Sequence, residues 1–163
     1  MLLRRISYLL ARNCELTAGA IFAIVCVINV AQVFGRYMLG SSLSWAEEIM
    51  RYSMVWVMML GSTTAIYHGD HMVLDTVVGS VPVKWRHLLR SILFGIAAVF
   101  CFLLVWYGWP AAINNIHQKA AASGISMVYP YMALPIGGVL MIIQIILCWI
   151  VGFRDPAVEE EAW

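Results

Sequence analysis

Four long runs without an acidic or basic residue limit how this chain can fold. They cover residues 16–35, 52–69, 91–118 and 120–153. A helix needs about 20 mostly apolar residues to cross the roughly 30 Å hydrocarbon layer of a bilayer. Because backbone groups inside that layer must pair with one another, membrane-spanning runs of this length form helices. The pattern therefore predicts an all-α, integral membrane protein with four spans.

The composition excludes the main classes of soluble protein. Apolar residues make up 63% of the chain and charged residues 12%, against about 45–50% and about 25% in soluble domains. So few charges do not cover a water-exposed surface, and the net charge of +1 provides no basic face for nucleic acid. The sequence also contains no nucleophile–base constellation, phosphate loop or H-E-x-x-H motif. We therefore predict no catalytic residues and no enzyme activity.

The apolar runs predict one membrane domain over residues 1–163, folded as a four-helix bundle. The predicted spans are 14–37, 47–67, 88–113 and 129–152, and residues 154–163 form a cytoplasmic tail. Before the first span, leucine and isoleucine recur at helical spacing over residues 2–12, with Arg4, Arg5 and Arg12 on the other side. This pattern predicts an N-terminal amphipathic helix that lies at the membrane interface.

The positive residues of the short loops predict the orientation. Seven Lys and Arg residues lie on the side of the two termini, and three lie on the opposite side. Because cytoplasmic loops carry an excess of Lys and Arg, we expect both termini in the cytoplasm.

A charged group opens the predicted second span. Ser44 and Glu47 have the spacing of a capping box, and Trp45 suits the interface. Arg51 follows Glu47 by four residues and Glu48 by three, so it can pair with either acid. An unpaired charge costs about 2.5–3.5 kcal/mol at the bilayer centre and less near its surface. The group can anchor the helix start or dock another subunit, and the sequence leaves both readings open.

The first predicted span carries a second polar group. Asn29, Gln32 and Arg36 follow at i, i+3 and i+7, so they share one helix face. Polar residues in a span face the bundle interior or a partner helix. Internal packing and a partner chain explain this face equally well.

Small residues mark places where helices approach closely. Residues 61–65 read Gly-Ser-Thr-Thr-Ala, and Pro135, Gly137 and Gly138 lie in the fourth predicted span. Small side chains let neighbouring helix backbones come together in a membrane. We expect a kink or a close crossing near the middle of the fourth span.

The four histidines raise the question of a cofactor. His68, His71, His87 and His117 all lie at or beyond the ends of the predicted spans. A haem needs axial ligands at matching depth inside the spans, so we predict no cofactor and no metal site. A haem-binding membrane anchor of a redox complex is the alternative, which a haem absorbance band would reveal. A small self-assembling exporter or channel is a third reading.

Two stretches resemble a known transporter family. The first reads W-x-E-E-x-x-R over 45–51, followed by Gly69, His71 and Asp75. The second runs from Ser123 to Met127 and continues through Tyr131–Gly137. Together they resemble the small membrane (Q-type) subunit of tripartite ATP-independent periplasmic (TRAP) transporters.

The resemblance implies a subunit rather than an autonomous carrier. Its expected partners are a large membrane subunit, which holds the solute and sodium sites, a periplasmic solute-binding protein and membrane lipids. The expected activity is sodium-driven uptake of organic acids, such as dicarboxylates or sialic acid, across the bacterial inner membrane. We assign Trp45, Glu47, Glu48 and Arg51 to assembly or helix anchoring, as we do the first-span group. The resemblance places His71 and Asp75 in a motif loop after the second span, without a chemical role.

Overall fold

A computed structural model describes residues 2–38, 40, 44–68 and 83–151 of the chain. Within these ranges the chain forms four helices: α1 (Leu2–Met38), α2 (Ser44–His68), α3 (Val83–Asn114) and α4 (Val128–Val151). The predicted all-α membrane bundle is confirmed. His71, Asp75 and the tail at 154–163 lie outside the described residues.

Two helices form the centre of the bundle and two lie on its flanks. α2 packs beside α4, α1 packs mainly on α2, and α3 packs on α4. Ser7, near the start of α1, contacts Gln144, near the end of α4, so Leu2 and Val151 lie at the same end of the bundle. We call this the termini end, and we call the opposite end, which carries residues 115–127, the loop end. A chain that crosses a membrane an even number of times has both of its ends on one side, as here. A cytoplasmic location of the termini stays a prediction.

Three of the helices in the described ranges are long and apolar enough to cross a membrane. They cover Leu3–Met38, Ser91–Asn114 and Val128–Ile150. α2 is not among them, because Arg51 and the Gly, Ser and Thr residues at 61–64 lower the mean hydropathy of its apolar part. The predicted crossing by residues 47–67 therefore stays a prediction, although α2 lies at the centre of the bundle.

α1 is one uninterrupted helix of 37 residues. It joins the predicted interfacial helix to the predicted first span, because neither glycine nor proline interrupts the sequence around residue 13. The side chains it buries near its start lie on one face: Ser7, Ala11, Cys14 and Ala18. The apolar residues Leu3, Ile6 and Leu9 are instead exposed. The apolar face that we expect to lie on the membrane is thus distinct from the face that packs on the protein. The interfacial location of residues 2–12 stays a prediction.

Consecutive glycines let α4 approach two neighbours at once. A Cβ on Gly137 would lie 2.5 Å from the Cβ of Met59 in α2. A Cβ on Gly138 would lie 2.9 Å from Val105 Cγ2 and 3.1 Å from the Cys101 carbonyl oxygen in α3. The expected close crossing near the middle of the fourth span is therefore present, with α4 held between α2 and α3.

Two apolar clusters fill the spaces between the helices. The first joins α2, α3 and α4 through the buried residues Ile66, Cys101, Met141 and Ile145. The second joins α1 and α2 through Cys14, Ala18 and Leu60, with Leu140 of α4 packed against it. α1 and α3 thus belong to different clusters on opposite flanks.

The connection between α3 and α4 has a defined fold. Lys119 and Ser126 pair as an antiparallel bridge, and the Ala120 amide donates to the Ile125 carbonyl at 2.8 Å. Gly124 has a φ of +68°, a conformation that a residue without a Cβ adopts readily. The loop therefore turns tightly and presents its backbone amides at fixed positions.

Candidate functional site

The beginning of α2 is tied to the α3–α4 loop by the carboxylate of Glu48. Glu48 Oε1 accepts a hydrogen bond from the Ala122 amide at 3.1 Å. Glu48 Oε2 accepts from the Ser123 amide and from the Ser123 hydroxyl, both at 2.8 Å. Hydrogen bonds to a charged group are stronger than neutral ones. We call this group of three bonds the Glu48 clasp.

Three further residues at the start of α2 face outward. Trp45, Glu47 and Arg51 are exposed. Within the described ranges, Ser44 and Glu47 form no capping hydrogen bonds, and the loop rather than Arg51 occupies the Glu48 carboxylate. Glu48 thus ties the chain to itself, and a docking role for the other three stays a prediction.

A second bond joins α2 to α4 near the loop end. The indole Nε1 of Trp56 donates to the Tyr129 carbonyl oxygen at 3.2 Å. This carbonyl belongs to the first turn of α4, next to the loop that Glu48 holds. The two contacts together fix the start of α4 against α2.

A neutral polar cluster ties the helices near the termini end. Gln144 is completely buried, and its Nε2 donates to the Ser7 hydroxyl at 2.8 Å. Gln144 Oε1 is buried and accepts no hydrogen bond. Close by, the Thr64 hydroxyl of α2 lies 3.2 Å from the Ala11 carbonyl of α1. We call Ser7, Thr64 and Gln144 the Gln144 cluster.

Neither Ser7 nor Gln144 has a role predicted from the sequence. Gln144 stands out as a polar residue in an apolar span, but the sequence does not show its partner. Ser7 lies four residues before Ala11 and seven before Cys14, so it belongs to a face of small residues on α1. That spacing is the signal that could have marked Ser7 as a packing position.

The polar group of the first span lies outside the packed core. Asn29 and Arg36 are exposed and Gln32 is half-buried. Among the described residues, none of the three forms a hydrogen bond or an ion pair. Gln32 borders the packed face of α1, and contact of Asn29 and Arg36 with a partner stays a prediction.

His68 and His117 lie at helix or loop surfaces. His68 is exposed, with its ring 5.2 Å from that of Tyr67, and His117 is exposed in the α3–α4 loop. In the described part of the chain, no group of three or more His, Cys, Asp or Glu side chains is placed to hold a metal ion. The polar residues that do form contacts, such as Glu48 and Gln144, join one element of the bundle to another.

Comparisons with known proteins extend this description. The family profile described as tripartite ATP-independent periplasmic transporters, DctQ component, matches residues 25–155. The sialic acid TRAP transporter permease protein SiaT of Haemophilus influenzae is 27% identical over 140 residues, covering 86% of this chain and 23% of SiaT. The ectoine TRAP transporter small permease protein TeaB of Halomonas elongata is 26% identical over 119 residues, covering 71% and 61%. The sialic acid TRAP transporter small permease protein SiaQ of Vibrio cholerae is 24% identical over 130 residues, covering 80% and 75%.

Proposed function

Because the chain belongs to the DctQ-component family of TRAP transporters, whose small permease subunits it resembles along most of its length, we propose that it scaffolds the large membrane subunit. The complex takes up an organic acid, driven by a sodium gradient, with the solute delivered by a periplasmic binding protein. The chain lies in the bacterial inner membrane with both termini in the cytoplasm.

The use of the buried polar groups is the observation that carries this proposal. Transport pathways place polar groups at the membrane midplane, where they face a cavity or a broken helix. In the described bundle the buried polar side chains are Ser7, Thr63 and Gln144. Ser7 and Gln144 bond to each other, and Thr63 bonds to the Met59 carbonyl of its own helix. These contacts favour a rigid support over a solute path.

The comparisons support the partner and the solute class. SiaT and SiaQ are named for sialic acid and TeaB for ectoine, and both solutes carry a carboxylate group. SiaT is longer than this chain, and the match covers 23% of it. This supports a role for the bundle beside a larger membrane partner, on which the carboxylate site lies.

Reconstitution into liposomes tests the proposal. The chain alone, the large subunit alone and the two together are compared with the binding protein and a labelled carboxylate outside. We expect uptake only for the pair, and only with an inward sodium gradient rather than a potassium gradient. Uptake by the isolated chain would overturn the scaffold role, and a haem absorbance band in the purified chain would favour a redox anchor.

The exposed residues at the start of α2 have a proposed role in assembly. Replacing Glu47 and Arg51 by alanine should lower the amount of large subunit that co-purifies, because the contact loses both charges. The preference between two competing solutes should not change, because the solute site is on the partner. Glu15→Ala, which removes another exposed acid, is the control. A changed solute preference in an intact complex would contradict this role.

A further inference from the structure

Polar side chains border the packed face of α1 in the second half of the helix. The buried residues of this face include Cys14, Ala18 and Val25, and the face continues through the half-buried Gln32 to the buried Gly35. Asn29 and Arg36 lie directly beside this face and are exposed. We call Asn29, Gln32 and Arg36 the α1 stripe.

Neither lipid nor water suits the stripe. In the same turns, Val30 and Phe34 are exposed on the side of α1 that also carries Val27, three and seven residues earlier. In water these apolar side chains would be uncovered. In hydrocarbon the two amides and the guanidinium would lack hydrogen-bond partners, which is costly. Lipid therefore suits the side with Val27 and Phe34, whereas a protein surface that carries polar groups suits the stripe.

The outer face of α3 is exposed and apolar but carries no charged side chain. It exposes Ile96, Val99 and Trp106, and residues 91–114 carry no charged side chain. Lipid tails cover such a surface without leaving a polar group unpaired. Exposed apolar area alone therefore does not single out α1, whereas the unpaired polar stripe does.

We propose that the α1 stripe is the docking surface for a membrane segment of the large permease subunit. This inference rests on the proposed function. The partner segment is apolar, donates to or accepts from the Asn29 and Gln32 amides, and presents an acidic side chain to Arg36. The comparison with SiaT supports this partner, because SiaT carries the matching region within a longer chain.

Photo-crosslinking in the co-expressed complex tests the surface. A photo-reactive residue is placed at 29 or 32, and at two exposed control positions. The controls are Val27, 69% exposed on the opposite side of α1, and Val99, 61% exposed on α3. We expect the stripe positions to crosslink to the large subunit at least fivefold more than either control.

A charge series gives an independent measurement. Arg36→Glu should lower the amount of co-purified large subunit at least tenfold, whereas Arg36→Lys should retain most of it. The yield of each variant chain, measured separately, shows whether the bundle itself still folds. An intact complex with Arg36→Glu would overturn the proposed contact.

The outcomes separate this inference from the proposed function. If the large subunit co-purifies but crosslinks equally from Val27 or Val99, the docking surface is wrong and the proposed function stands. Crosslinks from the stripe to a second copy of this chain, to the binding protein or to lipid alone would also overturn the docking surface. If the large subunit does not associate with the unaltered chain at all, the proposed function itself fails.

Discussion

The two ends of the bundle are held together by different chemistry. At the loop end, one carboxylate accepts three hydrogen bonds from a folded loop. Near the termini end, a neutral amide and a hydroxyl bond to each other between packed helices. Burying an unpaired charge costs far more than burying a neutral polar group. The charged contact therefore lies at the surface of the bundle, and the neutral contact lies where packed helices exclude water.

The two contacts also differ in how completely they are satisfied. The Glu48 carboxylate engages two loop amides and a hydroxyl, whereas Gln144 Oε1 is buried without a donor. A buried unpaired acceptor costs about 1–3 kcal/mol. We infer that the Glu48 clasp holds the loop in place, and that the Gln144 cluster sets the register of α1 on α4 more than it adds stability.

The largest loss of stability is expected from a substitution at the close crossing of α2 and α4, which lies between the two ends. Gly137→Leu places a side chain where even a Cβ would lie 2.5 Å from Met59, so α2 and α4 must separate. We expect a loss of about 3 kcal/mol or more, measured as lower monodisperse yield and thermal stability in detergent. Gly95→Leu is the control, because nothing lies within 4 Å of a Cβ there. Equal losses in both variants would contradict the close crossing.

The next effect should be confined to the loop end. Glu48→Ala removes all three bonds of the clasp, so residues 115–127 should open more often. We expect trypsin to cleave after Lys119 at least fivefold faster, while cleavage after Arg12 stays unchanged. Glu47→Ala, one residue away and exposed, should leave both rates unaltered. If trypsin cleaved after Lys119 at the same rate with and without Glu48, the loop would be stable through its own contacts alone.

A smaller effect is expected from Trp56. Trp56→Phe keeps most of the ring and removes one hydrogen bond to the Tyr129 carbonyl. The loss should be about 1 kcal/mol, seen as a fall of a few degrees in the midpoint of thermal unfolding. Trp109→Phe, at an exposed position of α3, is the control and should change the midpoint less. A larger fall for the control would argue against the bond.

The smallest effect is expected near the termini end. Gln144→Leu removes one bond to Ser7 together with the unpaired acceptor, and the Ser7 hydroxyl can then bond a carbonyl of its own helix. We expect a change within about 1 kcal/mol. Gln144→Ala also leaves a cavity and should cost more. If Gln144→Leu were as damaging as Gln144→Ala, the cluster would be a main source of stability, and the comparison between the ends would need revision.

Much of the fold could be predicted because its causes are local. Charge-free runs long enough to cross a bilayer identify helices without knowledge of their neighbours. Gly137 and Gly138 likewise indicate a close crossing without knowledge of the neighbouring helix, because they carry no side chain that would hold it away. The family resemblance also depends on short motifs such as the W-x-E-E-x-x-R run at 45–51. Part of the site was accessible too, since the polar residues of α1 and α2 stand out against an apolar background.

The contacts of those polar residues were decided only by the tertiary structure. Glu48 meets Ser123, 75 residues away, and Gln144 meets Ser7, 137 residues away. The sequence by itself determined which segments become apolar helices, because hydrophobicity and helical periodicity are properties of neighbouring residues. Which polar group finds a partner depends on how far one helix slides along another, and side-chain packing settles that only when the whole bundle assembles.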